Sequence, residues 1–95
     1  YRKAIAINAY FPDAHYNLAV ALEASGEIDK AIYEYGLTVR MVPTFIPARI
    51  NLGLLEYRQG NAKGARAQFE AVLKLDPANR SAKSALQQMD ARAGG

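Results

Sequence analysis

Residues 14–43 read AHYNLAVALEASGEIDKAIYEYGLTVRMVP, and residues 48–77 read ARINLGLLEYRQGNAKGARAQFEAVLKLDP. The two stretches are copies of one pattern, because identical residues recur in them at a constant offset of 34 positions. A single offset without slippage predicts two copies of one supersecondary unit, stacked side by side. The identical pairs are Ala14/Ala48, Asn17/Asn51, Leu18/Leu52, Gly26/Gly60, Ala31/Ala65 and Pro43/Pro77.

Glycine and proline in the first copy predict a pair of helices. Pro12 suits the first turn of a helix, which is expected to end near Ser25 because Gly26 can adopt a left-handed cap. A second helix is predicted over residues 28–42, and Pro43 stops it. Helical spacing places one set of apolar residues of the first helix on its buried face: Ala14, Leu18, Ala21 and Leu22.

The second copy carries the same signals. Thr44 is predicted to be the N-cap of its first helix, with Pro47 in the first turn and Gly60 at the end. Asn61 is predicted to cap a second helix over residues 62–75. The residues expected to be buried in that helix are Ala65, Phe69, Val72 and Leu73.

Small residues recur where two helices of a pair would cross. Ala19 and its counterpart Gly53 are expected to permit a close approach of two helix backbones. Ala31 and Ala65 are expected to be tightly enclosed for the same reason. Gly36 lies in the middle of a predicted helix, where glycine is unfavourable by about 1 kcal/mol relative to alanine, and the sequence offers no reason for it.

Partial units flank the two copies. Residues 1–8 match the second helix of each copy, so they are expected to complete a preceding repeat whose first helix lies outside this sequence. Asn79 is predicted to cap a last helix over residues 80–91, with one apolar stripe of the kind that covers the open end of a repeat array. The expected division of the chain is 1–11, 12–45 and 46–79 for the partial and two full repeats, and 80–95 for the capping helix and tail.

The amino-acid composition excludes or disfavours several classes of function for this protein. The sequence has no cysteine, which rules out a disulfide framework and a thiolate metal site. No apolar run approaches the roughly 20 residues of a membrane span. The net charge is +3, and the basic residues are spread along the chain instead of clustering, which does not favour nucleic-acid binding. The sequence leaves the cellular compartment open.

Catalytic chemistry has little support in the sequence. His15 is the only histidine and has no serine or cysteine nucleophile beside it, so we interpret it as a packing or surface residue. Glu56 and Glu70 are single carboxylates on separate helices and are expected to be solvated. The glycines fall at helix ends and not in a phosphate-binding loop. The sequence therefore predicts a non-enzymatic protein without a metal or cofactor.

A repeat of 34 residues made of two helices, with small residues at the crossings, resembles the tetratricopeptide repeat. The resemblance implies an all-α, right-handed helical solenoid of antiparallel helix pairs with a C-terminal capping helix. The family's favoured tryptophan is replaced by His15 and Arg49, and its favoured tyrosine by Leu22 and Glu56. The residues that carry the resemblance are Asn17-Leu18-Ala19, Gly26, Ala31, Tyr35 and Pro43, then Asn51-Leu52-Gly53, Gly60, Ala65, Phe69 and Leu75-Asp76-Pro77, with Tyr1, Ala4-Ile5 and Leu86 in the flanking units.

Within that family, YRKAI at residues 1–5 and FPDA at residues 11–14 are similar to repeats of O-linked N-acetylglucosamine transferases. These short strings recur across the repeat family.

The resemblance also implies a concave groove lined by the first helix of each unit. Asn17 and Asn51 would offer amide groups to the backbone of an extended peptide, or would instead bond within their own repeats. The basic clamp that chaperone-binding members use for a C-terminal carboxylate is missing from its positions in this sequence. The groove residues by position are Tyr16, Asn17, Val20, Glu23, Ile50, Asn51, Leu54, Tyr57, Arg58, Ser84 and Gln88.

The function expected from this resemblance is a scaffold that binds a partner protein or peptide in the groove. Two alternatives stay open. The chain could be a substrate-recruiting fragment of a larger enzyme such as a glycosyltransferase, or a self-assembling structural module. Weak self-association through Tyr1, Ala4 and Ile5 is expected in addition, because the partner helix of that apolar stripe is absent from the sequence.

Overall fold

The computed structural model describes residues 12–94, and all regular structure within that range is α-helical. The all-α class predicted from the sequence is confirmed, and each helix lies within a few residues of its predicted bounds. The expected helix over residues 1–8 lies outside the described residues. In chain order the helices are α1 (Pro12–Ala24), α2 (Ile28–Met41), α3 (Ile46–Arg58), α4 (Ala62–Leu75) and α5 (Arg80–Gly94).

The two predicted glycine stops end α1 and α3 with the same hydrogen bonds. Gly26 has φ +86° and Gly60 has φ +88°, the left-handed region that glycine adopts without steric cost. After α1, the N–H of Glu27 donates to the carbonyl of Leu22 at 2.9 Å. After α3, the N–H of Asn61 donates to the carbonyl of Glu56 at 2.8 Å. Each end is a Schellman cap, and the repeat is therefore conserved in backbone geometry between the two copies.

Asparagine caps the two helices that follow in the second half of the chain, as predicted. The side-chain oxygen of Asn61 accepts from the N–H of Gly64 at 3.0 Å, at the start of α4. The side-chain oxygen of Asn79 accepts from the N–H of Ala82 at 2.9 Å, at the start of α5. Each bond satisfies an N–H that lacks a partner in the first helical turn.

The predicted Thr44 N-cap is wrong, because α3 begins at Ile46 and Phe45 occupies the position before it. The N–H of Phe45 donates to the carbonyl of Val42 at 3.0 Å, which places Thr44 inside a turn. The phenyl ring of Phe45 packs on Tyr16 instead of capping, with 5.2 Å between ring centroids. An aromatic contact therefore lies at the residue where the sequence predicted no packing role.

Contacts divide the chain into two compact units, Tyr1–Ala48 and Arg49–Gly95. In the first unit α1 packs on α2. Ala19, Ala31 and Tyr35 are fully buried, as expected of the crossing positions. Ala21 was expected on the buried face but is exposed, because it lies two residues from the fully buried Ala19 and therefore about 200° around the helix from it.

In the second unit α3, α4 and α5 share an apolar core that contains Leu55, Phe69, Val72 and Met89. Ala65 is fully buried, as predicted. Leu73 was expected in the same core but is only half-buried. On α4, the residues at spacing i, i+4 and i+7, which are Ala65, Phe69 and Val72, are therefore buried. Leu73 lies beside this stripe and stays partly accessible to solvent.

The last helix is longer than predicted, because it continues to Gly94. Of its four stripe residues, Ala82 and Met89 are buried and Ala85 and Leu86 are half-buried. One apolar stripe with an otherwise polar surface is confirmed for this helix.

A polar bridge joins the two helices of each copy, at the position where the resemblance expects tryptophan. His15 Nδ1 lies 2.6 Å from Glu34 Oε1 in the first unit. Arg49 Nη1 donates to Gln68 Oε1 at 3.0 Å in the second unit. The second pair is the first one shifted by the repeat length, so the two copies use different residues for one cross-helix contact.

We expect a double-mutant cycle on Arg49→Met and Gln68→Met to give a coupling energy of about 0.5–1.5 kcal/mol in urea unfolding. The coupling arises because the Arg49 guanidinium donates directly to the Gln68 amide oxygen in a partly buried place. The control cycle pairs Arg49→Met with Gln59→Met, in the turn that follows the same helix, and should be additive. Equal coupling in both cycles would show that the bridge contributes nothing specific.

Candidate functional site

The predicted groove residues of the first unit lie on α1, and two of them have internal partners. Glu23 Oε1 accepts a hydrogen bond from the buried Tyr35 hydroxyl at 2.8 Å. The Tyr16 ring lies between Tyr35 and Phe45, 5.8 Å and 5.2 Å from their centroids. Asn17 and Val20 are exposed. Within this unit, Asn17 and Val20 present an accessible surface, whereas Tyr16 and Glu23 also hold the helix pair together.

In the second unit, three predicted groove residues meet at one cavity. Leu54 of α3 lies there with Ser84 and Gln88 of α5, around a volume of about 350 Å³. Leu54 is 48% exposed, which is high for a leucine. We call this the Leu54 cavity. Its described lining is Leu54, Arg80, Ser81, Ser84, Ala85 and Gln88.

Three residues of the Leu54 cavity were not among those predicted from the sequence. Ser81 and Ala85 lie on the same face of α5 as Ser84 and Gln88, because residues three, four and seven apart share a helix face. Arg80 is one turn before Ser84. Helical spacing from the two predicted α5 residues was therefore the signal that could have found all three.

The remaining predicted residues of the second unit are distributed differently. Ile50 and Asn51 are half-buried on α3, and Arg58 is exposed at its end. Tyr57 lines another cavity, of about 520 Å³, with residues of α4 and α5. We call this the Tyr57 cavity. Its lining is Tyr57, Ala62, Lys63, Arg66, Met89 and Arg92.

The first unit has a mainly apolar cavity of about 400 Å³ between α1 and α2. Leu18 and Leu22 of α1 line it, opposite Tyr33 of α2, whose ring is 64% exposed. No predicted groove residue belongs to this cavity.

The single histidine has a structural partner. The His15 and Glu34 side chains are 12% and 15% exposed, and a carboxylate can only accept, so their contact places a proton on His15 Nδ1. This supports the interpretation of His15 as a packing residue.

Glu56 was expected to be solvated, and this is wrong for one of its oxygens. Glu56 Oε1 is buried and has no hydrogen-bond partner among the described residues. Burial raises the pKa of the Glu56 carboxyl above its ordinary value, because desolvation disfavours the charged form. Glu70 is exposed, as expected.

Residues 12–94 contain no cluster of three or more His, Asp or Glu side chains arranged to hold a metal ion. Over the same range, every helix is too short or too polar to cross a membrane.

A profile described as tetratricopeptide repeat matches residues 1–33, and a second profile with the same description matches residues 47–79. A curated relative, the protein CTR9 homolog of Arabidopsis thaliana, is 27% identical over 128 aligned positions. The alignment covers 98% of this chain but 12% of that protein, so the chain spans about an eighth of the relative's length.

Three solved structures share the fold. The first TPR domain of Spaghetti (RPAP3), bound to the HSP90 peptide SRMEEVD, has a TM-score of 0.89 at 21% identity, over 99% of this chain and 75% of that one. MamA has a TM-score of 0.75 at 34% identity, over 80% and 44%. YrrB, described as a TPR protein with an unusual peptide-binding site, has a TM-score of 0.80 at 19% identity, over 90% and 44%.

The two profile matches together cover more than half of the chain, and they agree with the 34-residue period and with the paired helices. The chain belongs to the tetratricopeptide-repeat family.

Proposed function

We propose that the chain binds a peptide segment of a partner protein, and that the Leu54 cavity is part of the binding surface. The observation that carries the proposal is the exposed Leu54 side chain beside Ser84 and Gln88, at a concave place on the second unit. Apolar side chains with a few hydrogen-bonding groups beside them are typical of a ligand-binding pocket. Arg80 adds one positive charge at the same cavity.

Two structural neighbours support a peptide ligand. The Spaghetti domain is bound to an HSP90 peptide, and YrrB is described by its peptide-binding site. Each is about one-fifth identical to this chain, so they support the type of function and not the same ligand. We propose a non-catalytic interaction role on this basis.

The wider groove remains a proposal. Asn17 and Val20 are exposed on α1, which is compatible with contact to a ligand. The roles of Tyr16, Glu23, Ile50, Asn51, Tyr57 and Arg58 as groove residues, and the proposed self-association through Tyr1, Ala4 and Ile5, stay predictions. The same holds for recruitment of substrates to a larger enzyme, because the chain spans only a small part of its curated relative.

Alanine substitutions at the Leu54 cavity test the proposal. The probe is a peptide that the intact chain selects from a random phage library, synthesised with a fluorophore and titrated by anisotropy. We expect Leu54→Ala and Gln88→Ala each to weaken binding about 5- to 30-fold, because interface residues in a pocket contribute about 1–2 kcal/mol on truncation. Both side chains are at the surface, so the circular dichroism spectrum should not change.

Gln87→Ala is the matched control, because Gln87 is exposed on α5 and does not line the cavity. It should bind the selected peptide like the parent. If all three variants bind equally well, the ligand lies elsewhere and the Leu54 cavity is not its site.

A further inference from the structure

The Tyr57 cavity combines an apolar wall with three positive charges. Met89 is almost fully buried and presents one face to the cavity, with Ala62 and the Tyr57 ring beside it. Lys63, Arg66 and Arg92 supply the cations. Among the residues that the structure describes, none that lines the cavity is acidic.

The charges at the Tyr57 cavity are only partly compensated. Arg66 is paired with Asp90, and Glu70 also acts on Arg66 through its charge. Within residues 12–94, Lys63 and Arg92 have no carboxylate within ion-pair distance. The Arg92 guanidinium instead lies 5.8 Å from the centroid of the Tyr57 ring, a cation–π distance. Two cations at the rim are therefore available to a ligand.

The backbone adds to the positive potential of the cavity. Ala62 and Lys63 are the first residues of α4, and the N-terminal end of a helix carries a partial positive charge. The side-chain oxygen of Asn61 accepts from the N–H of Gly64, so one N–H group of this helix end already has a partner. The side-chain cations remain the principal attraction for an anionic group.

We propose that the Tyr57 cavity binds an acidic peptide segment in which an apolar side chain is flanked by carboxylates. The apolar side chain would contact Met89 and Ala62, while the carboxylates would pair with Lys63 and Arg92. Charge complementarity selects this occupant, since the cavity has cations at its rim and no carboxylate in its wall. The Leu54 cavity does not share a residue with it, so this is a second surface beyond the one proposed above.

The probe is a short fluorescein-labelled peptide with one leucine between glutamates, titrated against the whole chain by anisotropy. We expect the double variant Lys63→Gln/Arg92→Gln to weaken binding by about tenfold, because two charge pairs are lost. Ala62→Glu should weaken it similarly without unfolding, since Ala62 is exposed and an acidic residue in the first turn favours a helix. Binding should also weaken as salt is raised.

The control Lys74→Gln/Lys83→Gln removes the same net charge from exposed positions outside the cavity and should change affinity less than about twofold. Peptides with glutamine for glutamate, or serine for leucine, should each bind more weakly than the probe. Equal loss in both double variants would reduce the effect to net charge and overturn the proposal.

Two further outcomes would also overturn it. If Gln88→Ala abolishes binding of the acidic probe while Lys63→Gln/Arg92→Gln does not, the peptide occupies the Leu54 cavity, and only the proposed function is supported. If a single-stranded oligonucleotide displaces the probe at lower concentration than the unlabelled peptide, and the same variants weaken it, the surface is a nucleic-acid site.

Discussion

Gly53→Val is expected to destabilise the protein by about 3 kcal/mol, the upper end of the range for overpacked cores. A Cβ atom at position 53 would lie 2.8 Å from Cζ and 2.9 Å from Cε1 of Phe69. Phe69 is 1% exposed, so its ring cannot move into solvent to relieve the contact. For a domain of this size, thermal unfolding followed by circular dichroism should show a midpoint lower by roughly 15 °C.

Alanine at the same position gives a finer test, because two effects oppose each other. Gly53→Ala gains about 1 kcal/mol of helix propensity but meets the same ring contact, and we expect a net loss of about 1 kcal/mol. In a Phe69→Leu background the ring is gone, and alanine at position 53 should then stabilise the protein. This reversal of sign is the signature of a close contact between α3 and α4.

Gly36→Ala is the matched control, because Gly36 is also in the middle of a helix and its Cβ would meet nothing within 4 Å. We expect it to stabilise the protein by about 0.5–1 kcal/mol. Loss of stability in Gly36→Ala as large as in Gly53→Ala would contradict our account of both glycines.

The 34-residue period predicted much of the fold because it marks positions where the backbone conformation permits few residue types. Gly26 and Gly60 both adopt a left-handed conformation, and Val42 and Asp76 are both extended before a proline. The period also explains the error at Thr44. Asn79, which caps α5, corresponds to Phe45 and not to Thr44, so the repeat itself places the cap position one residue later.

The binding surfaces were harder to predict than the helices, because they depend on which helix faces meet. Lys63 and Arg66 are one helical turn apart, but Arg92 is far from both in the sequence, and packing of α4 on α5 brings all three to one cavity. The basic residues are dispersed along the sequence, as stated above, but three of them lie together on this surface. In the same way, the exposure of Leu54 and the burial of Glu56 follow from neighbours that a single helix pattern does not specify.

The second large effect is expected at Glu56, where replacement should stabilise the protein. Glu56→Leu removes a buried oxygen that has no hydrogen-bond partner among the described residues, and it installs the residue that the first copy has at the same position, Leu22. Burial of an unsatisfied polar group costs about 1–3 kcal/mol. We expect a gain near the lower limit at pH 7, because only one of the two carboxylate oxygens is buried in this way, or about 4–8 °C in the unfolding midpoint.

The effect at Glu56 should depend on pH, and the direction follows from the raised pKa. Near pH 4.5, the ordinary value, the unfolded chain loses the Glu56 proton, while the folded protein still holds it because burial has raised the pKa of this carboxyl. The stability of the parent therefore falls as the pH rises from the ordinary pKa to the folded one, and the penalty is constant above that window.

The advantage of Glu56→Leu over the parent should accordingly be smaller at pH 4 than at pH 7, in urea unfolding at both values. Gln87→Leu is the control, because Gln87 is exposed on α5 and does not titrate, so its stability difference from the parent should be the same at both pH values. An advantage of Glu56→Leu that is the same at both pH values would mean that leucine acts by packing alone and that desolvation of the carboxylate is not the source of the penalty.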